Sequence, residues 1–313
     1  MLLDVQGLRV GYSSGRDMLE VLAGVDLKVG REEILGLVGE SGSGKTTLAL
    51  TVLRILPEWG KVLGGRILFD GLDLLRLSEE EMRKIRGRRI SMVFQDPYSS
   101  LNPTSRIKDH FLELYRAHYG RVEENEVLEK VEALLRTVGV PEEKLHDYPH
   151  QLSGGQRQRV AIALAIALKP ELVILDEPTS SLDVLVEAQL MELFKELRER
   201  ERTSMIFITH NLGLLPELAD RISVLYAGKL VELSPAEKLF ADPLHPYTRA
   251  LIDSMPTVGS DELRTVSGEP PDLRNPPKGC RFHPRCPFAM DVCRVVEPVM
   301  KDVGGREVAC HLY

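Results

Sequence analysis

Short apolar segments and longer segments of helical periodicity alternate along most of the chain. Near the N-terminus, apolar side chains alternate with polar or small ones at Leu8, Val10, Tyr12, Val25, Leu27 and Val29. This period of two is typical of half-buried strands. Residues 34–38 (ILGLV) are apolar apart from one glycine, which predicts a buried strand. Residues 46–56 then have the apolar content of a helix, and Pro57 ends it.

The middle of the chain predicts two short strands and then only helices. Residues 65–70 and 90–95 have the length of strands, and a turn signal, Asp96-Pro97, follows the second. Apolar residues then recur at helical spacing at Ile107, Phe111, Leu114, Tyr115, Val127, Val131, Leu134, Leu135 and Val138. This part of the sequence therefore predicts an all-helical insert.

Strands and helices alternate again from residue 172. Residues 172–175 and 205–209 predict buried strands, and the helix between them carries its apolar residues on one face. That face consists of Val186, Leu190, Leu193 and Leu197. Residues 222–233, with Ala227-Gly228 at their middle, predict a terminal hairpin. Alternating apolar strands and helices indicate a parallel sheet covered on both faces.

The last part of the chain differs from the rest in composition. Prolines crowd together as in a linker, at Pro256, Pro270, Pro271, Pro276 and Pro277. All four cysteines follow, at Cys280, Cys286, Cys293 and Cys310. Such a short module needs a staple, and clustered cysteines in a reducing compartment favour a metal site over disulfides.

Composition excludes several classes of protein. The chain has 313 residues, 43% hydrophobic and 28% charged, which are ordinary globular proportions. A net charge of −7 argues against nucleic-acid binding through an overall basic surface. The longest apolar run, residues 160–168, is too short to span a membrane. Residues 1–10 lack the layout of a signal peptide, so we expect the protein to stay in the cytosol.

Residues 39–46 (GESGSGKT) fit the phosphate-loop pattern G-x-x-x-x-G-K-[ST], between a predicted buried strand and a predicted helix. Glycines let successive N–H groups point inward, and the helix N-terminus adds a partial positive charge. Lys45 then reaches the β- and γ-phosphates of a nucleotide, and the Thr46 hydroxyl is a ligand for Mg²⁺. A plain glycine-rich turn between strand and helix is the alternative.

Two acids, Asp176 and Glu177, end the strand predicted at residues 172–175. In a parallel sheet they lie at the edge where the phosphate loop also lies. Asp176 can hold Mg²⁺ directly or through water, and Glu177 can polarise an attacking water as general base. The alternative is a strand with an acidic cap that Pro178 ends.

Residues 152–159 (LSGGQRQR) form a second glycine-bearing helix start. The segment LSGGQ resembles the signature motif of ABC ATPases, and the resemblance covers nearly the whole chain. It implies an α/β fold: an ABC-type P-loop nucleotide-binding domain with a mixed sheet core, an antiparallel β subdomain and a helical subdomain. That domain is expected at residues 1–254, with its helical subdomain at about 97–168. A Pro-rich linker and a metal-binding module with four cysteines are expected at residues 255–313.

The resemblance also assigns roles to single residues. Tyr12 matches the adenine-stacking aromatic, Gln95 the glutamine that links the metal site to the transmembrane partner, and His210 the switch histidine. The expected nucleotide contacts are Tyr12, Gly39, Ser41, Gly42, Ser43, Gly44, Lys45, Thr46, Thr47, Ser153, Gly154, Gly155, Gln156 and Asp183. Thr46, Gln95 and Asp176 are expected at Mg²⁺. Tyr12 as plain core and His210 as a strand cap are the alternatives.

The resemblance further implies that the catalytic site is shared. In ABC ATPases two nucleotide-binding domains enclose two ATP molecules head to tail. Ser153, Gly154 and Gly155 should therefore contact the partner's nucleotide, and residues 180–183 should cross the dimer interface. Hydrolysis follows when the dimer closes, and the expected catalytic residues are Glu177, His210, Gln95 and Lys45.

Two C-terminal segments narrow the resemblance to one subfamily of ABC ATPases. They are residues 245–251 (HPYTRAL) and 277–287 (PKGCRFHPRCP). They look like the C-terminal extension of ATP-binding subunits of dipeptide and oligopeptide importers. In that subfamily the cysteine pattern, here Cys280, Cys286, Cys293 and Cys310, can carry a [4Fe-4S] cluster. Four thiolates also suit tetrahedral zinc, although the spacing lacks paired C-x2-C knuckles.

The sequence therefore predicts an ATP-hydrolysing subunit of a peptide importer, peripheral on the cytoplasmic face of the cell membrane. Expected partners are a second ABC ATPase subunit, in a heterodimer or a homodimer, and two transmembrane permease subunits. Through the permease, an extracytoplasmic substrate-binding protein is expected as well, and no nucleic acid. The same motor could serve an oligosaccharide or nickel importer. A soluble ABC-type ATPase acting on nucleic acid or ribosomes is disfavoured, because those usually carry two nucleotide domains or a long coiled-coil insertion.

Overall fold

The computed structural model describes residues 1–15, 17–96, 100–180, 182–255 and 266–313. Contacts divide the chain into two units. The first consists of Met1–Gly30, Ile34–Arg76 and Ile208–Tyr313, and the second of Arg31–Glu33 and Leu77–Phe207. Pro97, Ser181 and Pro256, which belong to predicted segments, lie outside the described residues. Within the described ranges, no helix is long and apolar enough to cross a membrane.

The elements are labelled in chain order. The strands are β1 (Leu3–Ser14), β2 (Asp17–Val29), β3 (Ile34–Val38), β4 (Gly60–Phe69), β5 (Leu72–Asp73), β6 (Ile90–Val93), β7 (Leu172–Asp176), β8 (Ser204–Thr209), β9 (Arg221–Tyr226), β10 (Lys229–Pro235), β11 (Lys301–Asp302) and β12 (Glu307–Val308). The helices are α1 (Lys45–Val52), α2 (Glu79–Ile85), α3 (Ile107–Tyr119), α4 (Glu124–Thr137), α5 (Gly154–Ile166), α6 (Val184–Glu201), α7 (Ala236–Ala241) and α8 (Pro246–Asp253).

An antiparallel sheet of the first unit has the strand order β2-β1-β4-β5. The end of β2 shows why these residues form a strand. Val25, Leu27 and Val29 are buried, whereas the two residues between them face solvent. Alternation of this kind is expected of strands in a sheet that packs on one face only. The predicted half-buried strands are therefore confirmed.

The first unit also contains strands of a mixed sheet, in the order β11-β12-β10-β9-β3. Strands β3 and β9 are parallel, with Val38 opposite Val224, whereas β9 and β10 are antiparallel. The hairpin between them turns at Ala227 and Gly228, with φ of 47° and 78°. Two consecutive left-handed residues are typical of a two-residue hairpin turn, so the predicted hairpin is confirmed.

Helix α1, predicted over residues 46–56, is shorter than predicted. It ends at Val52, with Leu53 as its C-cap. Arg54 has a φ of 53°. A left-handed residue just beyond a C-cap stops a helix whatever the apolar content that follows.

The described C-terminal segment, residues 266–313, packs against the rest of the first unit. Strand β12 extends the mixed sheet, with Val308 opposite Glu232 of β10. Leu244, Val308 and Cys310 form one buried cluster. The predicted domain boundary between residues 254 and 255 stays a prediction.

The second unit consists mainly of helices around a parallel strand pair. Strands β6 and β7 are parallel, with Ile90 opposite Leu172. Helices α3 and α4 bury the apolar faces that their periodicity predicts, including Phe111 and Val131. Strand β8 begins in the second unit and ends in the first, at the boundary between Phe207 and Ile208.

Candidate nucleotide site

The phosphate loop, residues 39–46, connects β3 to α1 in the first unit. Gly44 is the N-cap of α1 and has a φ of 107°. A Cβ at Gly44 would lie 2.6 Å from Leu22 Cδ2, and a Cβ at Gly39 would collide with the carbonyl oxygen of Leu225. Only glycine therefore fits at these two positions, because both backbone shape and space exclude a side chain.

Lys45 lies inside the curve of the loop. Its Nζ donates hydrogen bonds to the carbonyl oxygens of Gly39, at 2.7 Å, and Glu40, at 2.9 Å. The side chain is buried although it carries a charge. A buried ammonium that is held by backbone carbonyls is already oriented for a phosphate group.

The start of α1 offers further donors for an anion. No side chain caps the helix, so its first N–H groups are not satisfied by a capping residue. Ser43 is buried, and in the described parts of the chain its hydroxyl oxygen has no hydrogen-bond partner. Ser41, Gly42 and Thr46 belong to the same loop. Lysine, hydroxyl and helix N-terminus together suit a phosphate.

Tyr12 lies beside the same helix. Its hydroxyl is 3.1 Å from the hydroxyl of Thr47, which is buried one residue beyond Thr46 in α1. The Tyr12 ring is half-buried rather than part of the sealed core. The structure therefore brings Tyr12 to the helix that follows the phosphate loop.

His210 also belongs to the first unit, directly after β8. It is exposed, whereas Thr209 before it is buried. The Thr209 hydroxyl accepts the N–H of Asn211 at 2.9 Å, so Thr209 takes the local capping role. His210 itself projects from the end of the strand.

In the second unit, Asp176 is the last residue of β7 and Glu177 follows it directly. Asp176 is buried, and Glu177 has a φ of 48°. Gln95 Nε2 donates to Glu177 Oε2 at 3.2 Å, and the Ser180 hydroxyl donates to the Glu177 carbonyl at 3.0 Å. A left-handed glutamate is costly and persists only where neighbours hold it, which is common at functional sites. The structure thus brings Gln95 and Glu177 together within the second unit.

The LSGGQ segment starts α5 with a complete capping box. Ser153 Oγ accepts the N–H of Gln156 at 3.2 Å, and Gln156 Oε1 accepts the N–H of Ser153 at 3.1 Å. Arg157, which is buried, donates to the carbonyls of Pro149 and Leu152 just before the motif. The motif is therefore rigid, with Ser153 and Gly154 exposed.

The loop before α6 lies next to this motif in the second unit. Asp183 is the N-cap of α6, and its carboxylate accepts the N–H of Val186 at 3.0 Å. A Cβ on Gly155 would lie 3.5 Å from Val186 Cγ1. The next two residues after Asp183, Val184 and Leu185, are 82% and 69% exposed, which is unusual for a pair of large apolar side chains.

Sequence reasoning missed three residues at the phosphate loop. Glu40 lies inside the loop, where its carboxylate binds Arg285 and its N–H donates to Tyr247 Oη. Tyr247 and Arg285 belong to the two C-terminal segments, 245–251 and 277–287, that carried the subfamily resemblance. Their position in those segments was the only signal available.

Comparison with known proteins identifies the family. The profile described as "ABC transporter" matches residues 22–180. A dipeptide transport ATP-binding protein, DppD of Caldanaerobacter subterraneus subsp. tengcongensis, is 44% identical over 100% of this chain and 97% of its own. The chain belongs to the ABC transporter ATP-binding family. A second profile, "Oligopeptide/dipeptide transporter, C-terminal region", matches residues 231–293.

Other relatives of this ABC ATPase support the same family assignment. The oligopeptide transport ATP-binding protein OppD of Bacillus subtilis is 43% identical over 96% of this chain and 85% of its own. The solved dimeric ATP-binding cassette MJ0796, in a post-hydrolysis state with ADP and Pi, has a TM-score of 0.69. It is 27% identical and covers 75% of this chain and 99% of that one. The predicted mixed α/β cassette fold is confirmed. ATPases of this family couple ATP hydrolysis to transport.

The cysteines of this ABC ATPase lie in its first unit. Cys293 and Cys310 are buried, and Cys280 and Cys286 are half-buried. Burial raises the pKa of Cys280 to about 11 and also raises the pKa values of Cys286 and Cys310. Each of these three thiols accepts a backbone N–H from the residue two positions further on, which lowers its pKa in turn.

Such N–H donors favour thiolates, which are what metals and clusters bind. The thiolate charges of the other three cysteines also raise the pKa of Cys280. Nevertheless, no three His, Cys, Asp or Glu side chains in the described ranges are arranged so that they could hold a metal ion. Four thiolates are the donor set of an iron-sulfur cluster or of tetrahedral zinc, but in the described ranges their arrangement does not make a metal site.

Proposed function

We propose that this ABC ATPase powers the import of dipeptides or oligopeptides. The observation that carries the proposal is the match of residues 231–293 to the C-terminal region of oligopeptide and dipeptide transporters. It is supported by identity of 44% along the whole chain to a dipeptide transport ATP-binding protein. ATP and Mg²⁺ are the substrate and cofactor that the family requires.

The site residues have the following roles in this proposal. Lys45 and the N–H groups of the phosphate loop bind the β- and γ-phosphates, and Tyr12 stacks on the adenine. Thr46 and Asp176 supply oxygen ligands of the kind Mg²⁺ prefers. Glu177 accepts a proton from the attacking water, with Gln95 holding its carboxylate. His210 contacts the γ-phosphate.

The LSGGQ motif serves the nucleotide of a partner ATPase. Its support is the exposure of Ser153 and Gly154, together with the exposed Val184 and Leu185 beside Asp183. An apolar pair of this kind is suited to a protein interface. We propose a second ABC ATPase chain as this partner, either a related subunit or a second copy.

The motor acts on membrane partners in this proposal. It binds peripherally to two permease subunits at the cytoplasmic face of the membrane, and a substrate-binding protein delivers peptide from the other side. Oligosaccharide or nickel as cargo would leave the motor unchanged, because the ATPase does not touch the cargo.

The cysteine module binds a [4Fe-4S] cluster in this proposal, with zinc as the alternative outcome. Anaerobic purification followed by visible absorption and metal analysis distinguishes them. Brown protein with about four iron atoms per chain supports the cluster. Colourless protein with one zinc contradicts it and leaves the ATPase assignment intact.

Purification of the tagged full chain from solubilised membranes of its source tests the transport proposal. The copurified complex is reconstituted in vesicles and supplied with ATP and labelled dipeptide, maltooligosaccharide or Ni²⁺ in parallel. We expect ATP-dependent uptake of dipeptide only, and none with the Glu177→Gln variant. Uptake of either other cargo, or copurification with nucleic acid in place of permease subunits, would contradict the proposal.

A further inference from the structure

The C-terminal extension contacts the phosphate loop directly, within the first unit. Arg285, next to Cys286 in the cysteine module, forms a two-pronged ion pair with Glu40. Its Nη1 lies 2.7 Å from Glu40 Oε2, and its Nη2 lies 2.9 Å from Glu40 Oε1. The Arg285 side chain is only 5% exposed, and that of Glu40 is 23% exposed. Paired bonds between planar groups at this depth are among the strong hydrogen bonds of proteins.

The remaining donors of Arg285 are also used. Nε donates to the carbonyl of Ser267 at 2.8 Å, Nη2 to the carbonyl of Val266 at 3.2 Å, and Nη1 to Tyr226 Oη at 3.2 Å. The hydrogen bond with Glu40 raises the pKa of Arg285 against the opposing effect of burial. Arg285 therefore joins the cysteine module, β9 and the phosphate loop at one point.

Tyr247 of α8 makes a second contact with the same loop residue. Its hydroxyl accepts the N–H of Glu40 at 2.8 Å. The Tyr247 ring is fully buried against Tyr226, with centroids 4.5 Å apart, and Phe282, at 5.4 Å. His245 caps α8 by accepting the N–H of Tyr247 at 3.0 Å. The tyrosine hydroxyl thus has a fixed position.

Every polar group of Glu40 is consequently held. Tyr247 binds its N–H and Arg285 its carboxylate, while its carbonyl accepts from Lys45 Nζ, at 2.9 Å, and from the Ser43 N–H, at 3.2 Å. Lys45 and Ser43 are the groups that face a phosphate. Because the Glu40 carbonyl accepts from both residues, the position of Glu40 helps to orient them.

We propose that Arg285 and Tyr247 are positioning residues of the phosphate loop, so that affinity for ATP depends on the C-terminal cysteine module. Neither residue touches the nucleotide. They order the loop before ATP binds. The free energy of ordering the loop is then not subtracted from the free energy of binding. In this proposal, residues 245–251 and 277–287 of the C-terminal extension contribute to ATP binding.

Equilibrium binding of a fluorescent ATP analogue to the full chain tests this proposal. We expect Arg285→Ala to weaken binding about tenfold and Arg285→Lys about threefold, because a lysine makes one bond where arginine makes two. Tyr247→Phe removes only the hydroxyl and should weaken binding about threefold. In steady-state assays KM for ATP should rise while kcat stays nearly unchanged, since the saturated loop is already ordered.

Arg306→Ala is the matched control. Arg306 belongs to the same module and is largely buried, but it pairs with Asp242 rather than with the loop. Its loss loosens the module without touching Glu40, so we expect ATP affinity within about twofold of the parent. Thermal unfolding of each variant shows that the chain is folded at the assay temperature.

A double-mutant cycle with Glu40→Ala separates positioning from general destabilisation. If Arg285 acts through Glu40, the double variant binds ATP no more weakly than the weaker-binding of the two single variants. Full additivity would overturn the proposal. So would an ATP affinity of Arg285→Ala that equals that of Arg306→Ala, whether both are lowered or both are unchanged.

Discussion

The chain has two glycine-bearing helix starts, and they are built in opposite ways. At the start of α5, Ser153 and Gln156 satisfy each other's N–H groups in a complete capping box. At the start of α1, Gly44 provides no side-chain cap, and a buried lysine lies beside it in the loop. A helix start without a cap is costly unless a ligand supplies the missing acceptor.

This difference indicates what each helix start is for. The start of α1 has no side-chain cap, and in the described part of the chain the buried Ser43 hydroxyl has no partner, which suits this loop to an anion. The LSGGQ motif already has its capping box before any ligand arrives, and it presents Ser153 and Gly154 to solvent. It is suited to a nucleotide that another chain already holds. The following variants test the contrast.

Lys45→Ala should have the largest effect. It removes the buried ammonium of the phosphate loop, and we expect ATP affinity to fall about a hundredfold. Isothermal titration of the full chain with Mg-ATP measures it. Lys84→Ala, at an exposed lysine paired with Glu80, is the control and should bind like the parent. Retention of affinity within about threefold by Lys45→Ala would refute the assignment.

Gly44→Ala and Gly154→Ala compare the two helix starts directly. An alanine at Gly44 has an unfavourable φ of 107° and a Cβ 2.6 Å from Leu22 Cδ2. We expect it to cost about 2 kcal/mol of unfolding free energy in urea. An added Cβ at Gly154 meets nothing within 4 Å, so that change should stay within about 0.5 kcal/mol. Equal losses of unfolding free energy in the two variants would contradict the difference between the two helix starts.

A third helix start, that of α8, sharpens the comparison because its cap titrates. Burial lowers the pKa of His245 to about 3, so the folded chain keeps this imidazole neutral. The unfolded chain protonates it below about pH 6.5, and stability therefore falls as pH drops from there towards 3. The expected contribution is about 1.4 kcal/mol per pH unit.

His245→Asn keeps a capping acceptor and removes the titration. We expect its unfolding free energy to fall less steeply than that of the parent between about pH 6 and about pH 5. Urea unfolding at these two values measures the slopes. Identical slopes would contradict this account, because they would mean that His245 has the same pKa in the folded and the unfolded chain.

Local patterns in the sequence predicted the elements well, but not where they end or what they contact. The alternation in β2 and the turn at Ala227-Gly228 are properties of neighbouring residues, and both were predicted correctly. Helix α1 was predicted to be longer, because apolar content continues past Val52 while the backbone at Arg54 turns left-handed. Backbone conformation at a single non-glycine residue has no compositional signal.

The candidate site divides in the same way. The loop from Gly39 to Thr46 and the acids that end β7 follow from motifs that are contiguous in sequence. The Arg285–Glu40 pair joins residues 245 positions apart, and periodicity carries no information at that separation. The capping role of Gln156 was also not predicted, because the motif had already given that residue another role.

The isolated chain, diluted until it is monomeric, gives the most direct test of the central claim that the two helix starts serve different nucleotides. The measurement is the Mg-ATP affinity of Ser153→Ala beside that of the parent. We predict affinities within about twofold, together with ATP turnover at least about tenfold lower once the variant is assembled with its partner ATPase. A loss of affinity of about tenfold in the monomer would contradict the account, because Ser153 would then bind the chain's own nucleotide.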